Sequence, residues 1–261
     1  MSEHTSSIKV GLSWVTGSFQ LLSKKPGKWL LLALAYVMLF VVLPTLPHMP
    51  TLIALLVILF WPCFIALAIG LYREADQGRD TELADLVQQI KPRVGRLIAL
   101  GGICLAYGIL VGMFASGDTQ VLNELISQKA DSEQILTRAL PLMAKLLIFL
   151  TPLLMATWFA PMLIAYQEFS VAEAIKHSLW ASWRNLVALG AAWLALTLAM
   201  VLVMLVVGIV VGLVATISQA LSTILMSLML LGGLLLTTSF MFAIQYFSYR
   251  HVYYQQPDTT E

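Results

Sequence analysis

The chain has 261 residues, of which 59% are hydrophobic and 11% charged, with a formal net charge of +1 and a mean hydropathy of +0.86. A soluble domain carries roughly 25% charged residues, so this composition excludes a surface that faces water throughout. The near-neutral balance gives no general attraction for nucleic acid, and none is expected as a partner.

The first segment, "SIKVGLSWVTGSFQLLSKKPGKW", sets Ile8, Leu12, Val15, Phe19 and Leu22 near one helical face and then breaks at Pro26-Gly27. It is too long and too polar for a cleavable signal peptide. A first span follows from Trp29 to about Leu46, and "PTLPHMP" turns it into a second from Thr51 to Tyr72. Each has about the 20 apolar residues needed to cross a bilayer core. "TELADLVQQIKPRVGR" then offers Leu83, Leu86, Val87 and Ile90 on one face before Pro92, and leads into a third span from Val94 to Ala115.

Between Ser116 and Pro141 the pattern predicts two short helices. Asp118 or Thr119 would cap the first; Ser132 would cap the second, which Pro141 would end. A fourth span covers Leu142 to Tyr166, a fifth Leu186 to about Ala215 and a sixth about Leu221 to Tyr246. Between the fourth and fifth, "FSVAEAIKHSLWASWRN" opens on Ser170-Val171-Ala172-Glu173, a capping box, and puts Val171, Ile175, Ser178, Leu179 and Ser182 on one face. The expected fold is therefore all-α: a polytopic membrane protein of six spans in three hairpins, each with an amphipathic interfacial helix leading in.

Twelve of the fifteen Lys and Arg residues fall on the side that carries both termini; only Lys129, Arg138 and Lys145 fall on the other. The positive-inside rule places that richer side in the cytoplasm. The expected location is a bacterial inner membrane.

The returning spans share Pro62-Cys63-Phe64-Ile65-Ala66, Pro161-Met162-Leu163-Ile164-Ala165 and Ser239-Phe240-Met241-Phe242-Ala243. That correspondence suggests a threefold repeat with units at about 8–72, 80–166 and 168–249 in a single membrane domain, 1–250, ahead of a flexible tail, 251–261.

Catalytic chemistry finds little support. No His, Cys or carboxylate group has metal-ligand spacing, and neighbouring His177 and Ser178 point to different helix faces. Cys63 and Cys104 lie in apolar runs and read as small hydrophobes. A non-enzyme without a cofactor is expected. The assigned spans contain no Asp or Glu, whereas ion-coupled carriers usually keep an ionisable group at mid-membrane.

Three sets of candidate residues remain. Lys24, Lys25, Lys28, Arg93, Arg96, Lys176 and Arg184 sit at the basic interface and suit lipid phosphate. Thr237, Thr238, Ser239 and Gln245, with kinks at Pro62 and Pro161, could line a polar cavity; hydrogen bonding back along the helix is the competing role for the hydroxyls. Gly108 with Gly112 and Gly208 with Gly212 form two GxxxG motifs that serve packing within the monomer, a homodimer or a membrane-protein partner.

The run from Pro161 through Ser170 and Ser178 to Arg184-Asn185 resembles a broad group of uncharacterised bacterial inner-membrane proteins. There a proline in a returning span precedes Ser-x-x-Glu-Ala, a later serine and Arg/Lys-Asn. The group includes the membrane domain attached to some glycerophosphodiester phosphodiesterases. Only "SYRHVYYQQPDTTE" follows the sixth span, so the resemblance implies location and fold and carries over no phosphodiesterase activity. The expected function is a subunit or scaffold that binds lipid or a membrane partner, with a transporter or flippase for a small or lipid-like substrate as the alternative.

Overall fold

The computed structural model describes residues 2–255, with side chains for 7–254. Every regular element among them is a helix: α1 (Ser2–Lys24), α2 (Pro26–Val37), a π-turn to α3 (Leu43–Thr45), α4 (Thr51–Asp76), α5 (Leu83–Ile90), α6 (Val94–Ser127), α7 (Ser132–Trp158), α8 (Ala160–Gln167), α9 (Val171–Arg184), α10 (Leu186–Ala215) and α11 (Gln219–Arg250). Six long apolar stretches are able to span a membrane, and the chain is a polytopic membrane protein. The order of lead-in helix, outgoing span and returning span recurs three times along it. Residues His251–Gln255, expected in the tail, continue α11 as a π-helical turn; 256–261 lie outside the described residues.

Prolines explain most of the irregularities. The Pro44 ring has no N–H and crowds the carbonyl one turn earlier, and the ladder widens so that the Leu43 N–H reaches Met38 O. Pro62 lies inside an unbroken α4, whereas Pro161 separates α7 from α8 at Phe159. Pro141 and Pro152 do not end α7.

That continuity corrects the expected pair of short helices. The α6 helix runs unbroken past Asp118 and Thr119 for 34 residues, about 51 Å at 1.5 Å per residue. The residues at 116–141 thus lengthen spans three and four. Asp118 forms no cap; it pairs with Lys145 Nζ at 2.8 Å, and the same ammonium donates to Phe114 O. Ser132 begins α7 but no side chain caps it.

The three lead-in helices pack in a cycle. Helix α5 lies on α4, in the hairpin before it, and α9 lies on α7 and α8. Helix α1 has no preceding hairpin and packs instead on α10 and α11. The returning spans close a second ring: Tyr72 donates to Ser239 O at 3.0 Å, Gln245 Nε2 to Trp158 O at 2.6 Å, and Tyr166 to Ala66 O at 2.7 Å. These side chains tie α4 to α11, α11 to the fourth span, and the fourth span back to α4.

The core sits at the end that carries both termini. It is built from Trp14, Trp29, Ile69, Tyr72, Leu97, Phe159, Met162 and Phe242, all essentially buried. Toward the opposite end, residues such as Met113, Leu147, Leu202 and Leu228 are exposed, as side chains in contact with lipid would be.

Lead-in helices follow the same logic, with much of their apolar stripes turned away from the bundle. Ile8, Leu12 and Phe19 of α1 are exposed, while Gly11, Trp14, Ser18 and Leu21 pack on the bundle. In α5 Leu83 and Val87 are exposed and Leu86 and Ile90 buried. In α9 the expected face is kept at Ser178 and Ser182, which are buried together with Ala174 and Ala181. Where lipid is the solvent, a large apolar side chain gains nothing by facing protein, and small residues permit close approach.

The capping box of α9 forms as the sequence requires. The Glu173 N–H donates to Ser170 Oγ at 3.3 Å and the Ser170 N–H to Glu173 Oε2 at 3.1 Å. Hydrogen bonds from Ser170 hold the Glu173 carboxyl below its ordinary pKa. A depressed carboxylate contributes stability that is present above its unfolded pKa and lost as pH falls through the folded one. Ser170→Ala should cost about 1 kcal/mol in thermal or denaturant unfolding at neutral pH, and the gap from wild type should narrow as the pH is lowered into the carboxylate range.

Candidate functional site in the basic mouth of the bundle

The residues that form a site begin where α4 ends. Gly78 has a φ of +73°, a left-handed position that glycine adopts without strain. It stops the helix in a Schellman turn, with the Arg79 N–H on Glu74 O at 2.9 Å and the Gly78 N–H on Ala75 O at 3.2 Å. That reversal lays Arg79 back over Glu74. Arg79 Nε donates to Glu74 Oε2 at 2.5 Å, Arg73 Nη2 lies 3.1 Å from Glu74 Oε1, and Thr81 Oγ1 donates to Oε2 at 3.1 Å. Glu74 is 6% exposed, and these donors make its burial tolerable.

Two residues on, Asp76 accepts from Tyr246 Oη at 2.7 Å and from Arg250 Nη1, joining α4 to the end of α11. Arg73 also stacks over the Tyr166 ring at 4.3 Å, and Arg250 over Phe247 at 4.7 Å. Stacking and ion pairing hold the guanidinium planes in fixed orientations, the condition under which arginine recognises an anion bidentately.

These groups enclose a cavity of about 660 Å3 whose wall includes Arg73, Arg79 and Arg250, Asp76, and the rings of Tyr166, Tyr246, Tyr249 and Tyr254. Three guanidinium groups thus share the wall with one carboxylate, Asp76, while Glu74, off the wall, pairs with Arg73 and Arg79. A cleft of about 220 Å3 adjoins it through Arg79 and carries Lys24, Lys25, Lys28 and Asp80. Asp80 lies 3.3 Å from Lys25 Nζ and 3.7 Å from Lys28 Nζ, and those two ammonium groups lower its pKa. The mouth of the bundle is therefore predominantly cationic, with aromatic walls.

Three of the seven basic residues singled out by sequence, Lys24, Lys25 and Lys28, meet in this mouth. Arg93 and Arg96 do different work: Arg93 pairs with Glu168, and Arg96 Nη1 donates to Glu168 O at 2.8 Å. Glu168 holds a left-handed backbone at φ +64°, so the two arginines brace the α8–α9 turn. Lys176 and Arg184 are exposed on α9, Arg184 stacking over Trp180 at 4.5 Å.

The polar set on the sixth span does not gather around a cavity. Thr237 donates to Gly233 O and Thr238 to Leu234 O, both at 2.8 Å, and Ser239 to Leu235 O at 2.9 Å and Trp29 O at 3.2 Å. Ser239 touches a small apolar cleft beside Trp29. Gln245 is spent on Trp158 O.

The break at Pro161 does open backbone groups, and protein fills it. Ser178 Oγ accepts from the Phe159 N–H at 3.0 Å and donates to Met155 O at 2.7 Å. The hydroxyl replaces the single i→i+4 bond that would join Phe159 to Met155. Ser182 adds a bond to Met155 O at 3.2 Å.

The glycine motifs also resolve. A Cβ placed at Gly108, Gly112, Gly208 or Gly212 would meet nothing within 4 Å, so none of the four packs within the monomer. Close backbone approach occurs instead at Gly11 against Ala188 and at Gly101 against Leu59, outside any GxxxG pair.

Compared with protein-family models, curated proteins and solved structures, the chain matches none. Sequence reading missed Arg73, Arg79, Arg250 and the four tyrosines. The signal available was the density of "YREADQGR" and "QYFSYRHVYY" at the ends of two returning spans; what joins them is a contact across 170 residues, Tyr246 to Asp76.

Proposed function

We propose that this protein is a non-enzymatic component of the bacterial inner membrane, with both termini cytoplasmic, that binds the anionic headgroup of a membrane lipid in its basic mouth. The carrying observation is the cavity walled by Arg73, Arg79 and Arg250, with guanidinium planes fixed by ion pairs and aromatic stacking. Guanidinium groups fixed in orientation suit phosphate, and tyrosine rings suit the headgroup level of a bilayer. A membrane-facing groove of about 730 Å3 between α1, α10 and α11, lined by Phe19, Met200, Met204, Met229 and Gly232, is of a kind that takes acyl chains.

The alternative, a transporter, would use neutral polar groups along an open path. Thr237, Thr238, Ser239 and Gln245 all donate to backbone carbonyls, which favours the binding reading. The resemblance noted in the sequence of residues 161–185 is the ground for proposing a bacterial inner membrane, and it leaves the ligand open.

The test is lipid retention. Purified in mild detergent and measured by native mass spectrometry, the wild type should keep phosphatidylglycerol in preference to phosphatidylcholine. Arg79→Gln should weaken that retention about tenfold, the loss of one charge-assisted hydrogen bond. Equal retention of the two lipids, or an Arg79→Gln protein that keeps as much as the wild type, would count against the reading.

A further inference from the structure

Beyond the arginine–tyrosine cavity, on the other side of the Arg250–Asp76 pair, lies a second cavity of about 260 Å3 between α1 and the end of α11. Its wall includes Trp14, Gln20 and Lys24 from α1, and Asp76, Arg250 and His251 from the ends of α4 and α11. It is the more polar of the two in proportion, and it lies beneath a helix that the sequence presents only as an amphipathic lead-in.

What distinguishes it is a deficit in hydrogen bonding. Among the buried side-chain nitrogen and oxygen atoms of the described residues, two have no partner: Trp14 Nε1 and Arg250 Nε. Both belong to residues on the wall of this one cavity. Trp14 is 2% exposed and its indole can only donate. Buried donors are nearly always satisfied, so two orphans at one cavity point to an acceptor that belongs there.

The charge pattern says which kind. Asp76, the one carboxylate on the wall, is already engaged by Tyr246 and Arg250. Lys24 and Arg250 supply positive charge, and the two unpartnered donors belong to residues of α1 and α11, the elements that wall the space. An acceptor with several oxygens pointing in different directions meets both sides at once; a phosphate group has that shape.

The donors are held in place without a ligand. Gly17 of α1 approaches the Phe247 ring so closely that a Cβ there would touch it, and Arg250 stacks over the same ring at 4.7 Å. Gly11 similarly seats α1 on the Ala188 carbonyl. We infer that the Trp14–Arg250 cavity is a second phosphate-recognising site, which shares Arg250, Asp76 and Lys24 with the basic mouth and is set apart from it by Trp14, and whose occupant pins α1 to the end of α11. The phosphate belongs either to a lipid headgroup or to a free phosphate ion.

The experiment reads the shift in unfolding midpoint of the full chain on adding a phosphate source. Nanodiscs of phosphatidylcholine alone receive inorganic phosphate in one arm. In the other, phosphatidic acid is mixed into the nanodisc. A rise in the first arm identifies free phosphate, and a rise in the second arm only identifies a headgroup; either supports the site if the change at Trp14 removes it. Replacement of Trp14 by benzothienylalanine, which keeps the bicyclic ring and lacks the N–H, should raise the concentration for half-maximal shift about tenfold. Because each variant is compared with itself without phosphate, a general loss of stability does not mimic this result. Arg79→Gln, in the first cavity, should leave the shift intact, so the two sites fail separately. No shift in either arm, or one that survives the change at Trp14, overturns the inference.

Discussion

Gly101→Val is expected to destabilise the protein by about 3 kcal/mol, at the upper end of overpacking costs, measured as loss of folded protein in denaturant titration. A Cβ at Gly101 would overlap the Leu59 carbonyl oxygen, and both the carbonyl carbon and the Cα of Leu59 would lie 2.9 Å away. The obstacle is backbone on a facing helix, so no rotamer change relieves it; α4 and α6 would have to separate. Leu100 and Leu97, both fully buried beside it, would lose contacts as they did. The contrast is Gly108→Val, on the same helix two turns away, where a side chain meets open space. That substitution should leave the monomer's stability within about 0.5 kcal/mol. Should it change the mass of the detergent-solubilised particle, the GxxxG face serves a second copy or a partner.

Ser178→Ala is the second large effect, about 2 kcal/mol for a buried donor left without its acceptor. The Phe159 N–H would be stranded beside the Pro161 break, while Met155 O would keep Ser182 Oγ at 3.2 Å. Removing both hydroxyls should therefore cost more than the two single losses added together, since each covers part of the same opening. The double-mutant cycle in reversible unfolding measures that excess. Strict additivity would mean that the serines do not share the gap. Ser178→Cys keeps a side chain of similar size with a poorer donor and acceptor, and should fall between wild type and alanine.

The sequence made the six spans legible because hydrocarbon thickness fixes how many apolar residues a crossing needs, and Leu186–Ala215 came out with both ends correct. The α9 capping box was legible for a related reason: its partners lie three residues apart. Local rules were weaker near Pro141 and Asp118. A proline and a capping residue each mark a helix end only when nothing else continues the helix, and here Lys145 reaching Asp118 and Phe114 O ties the two long helices together.

The GxxxG and threonine patterns were read correctly as patterns and incompletely as roles. Glycine spacing says that backbones could approach, and the position of the neighbouring helix decides whether they do. A run of hydroxyls says that hydrogen bonds are available, and the nearest carbonyl one turn back takes them unless a cavity opens beside them.

By itself, then, the sequence determined that this chain lives in a membrane, how often it can cross, and which end is basic. Those properties depend on length, transfer free energy and charge, all summed along the chain. Only the tertiary structure decided where the serines of "SVAEAIKHSLWAS" would be spent, and that α1 would lie on the last hairpin. It also decided that Arg73, Arg79 and Arg250 would share a wall with four tyrosines. Each of those outcomes is a contact between residues tens to hundreds of positions apart, set by which helix faces meet, and no local periodicity encodes that meeting.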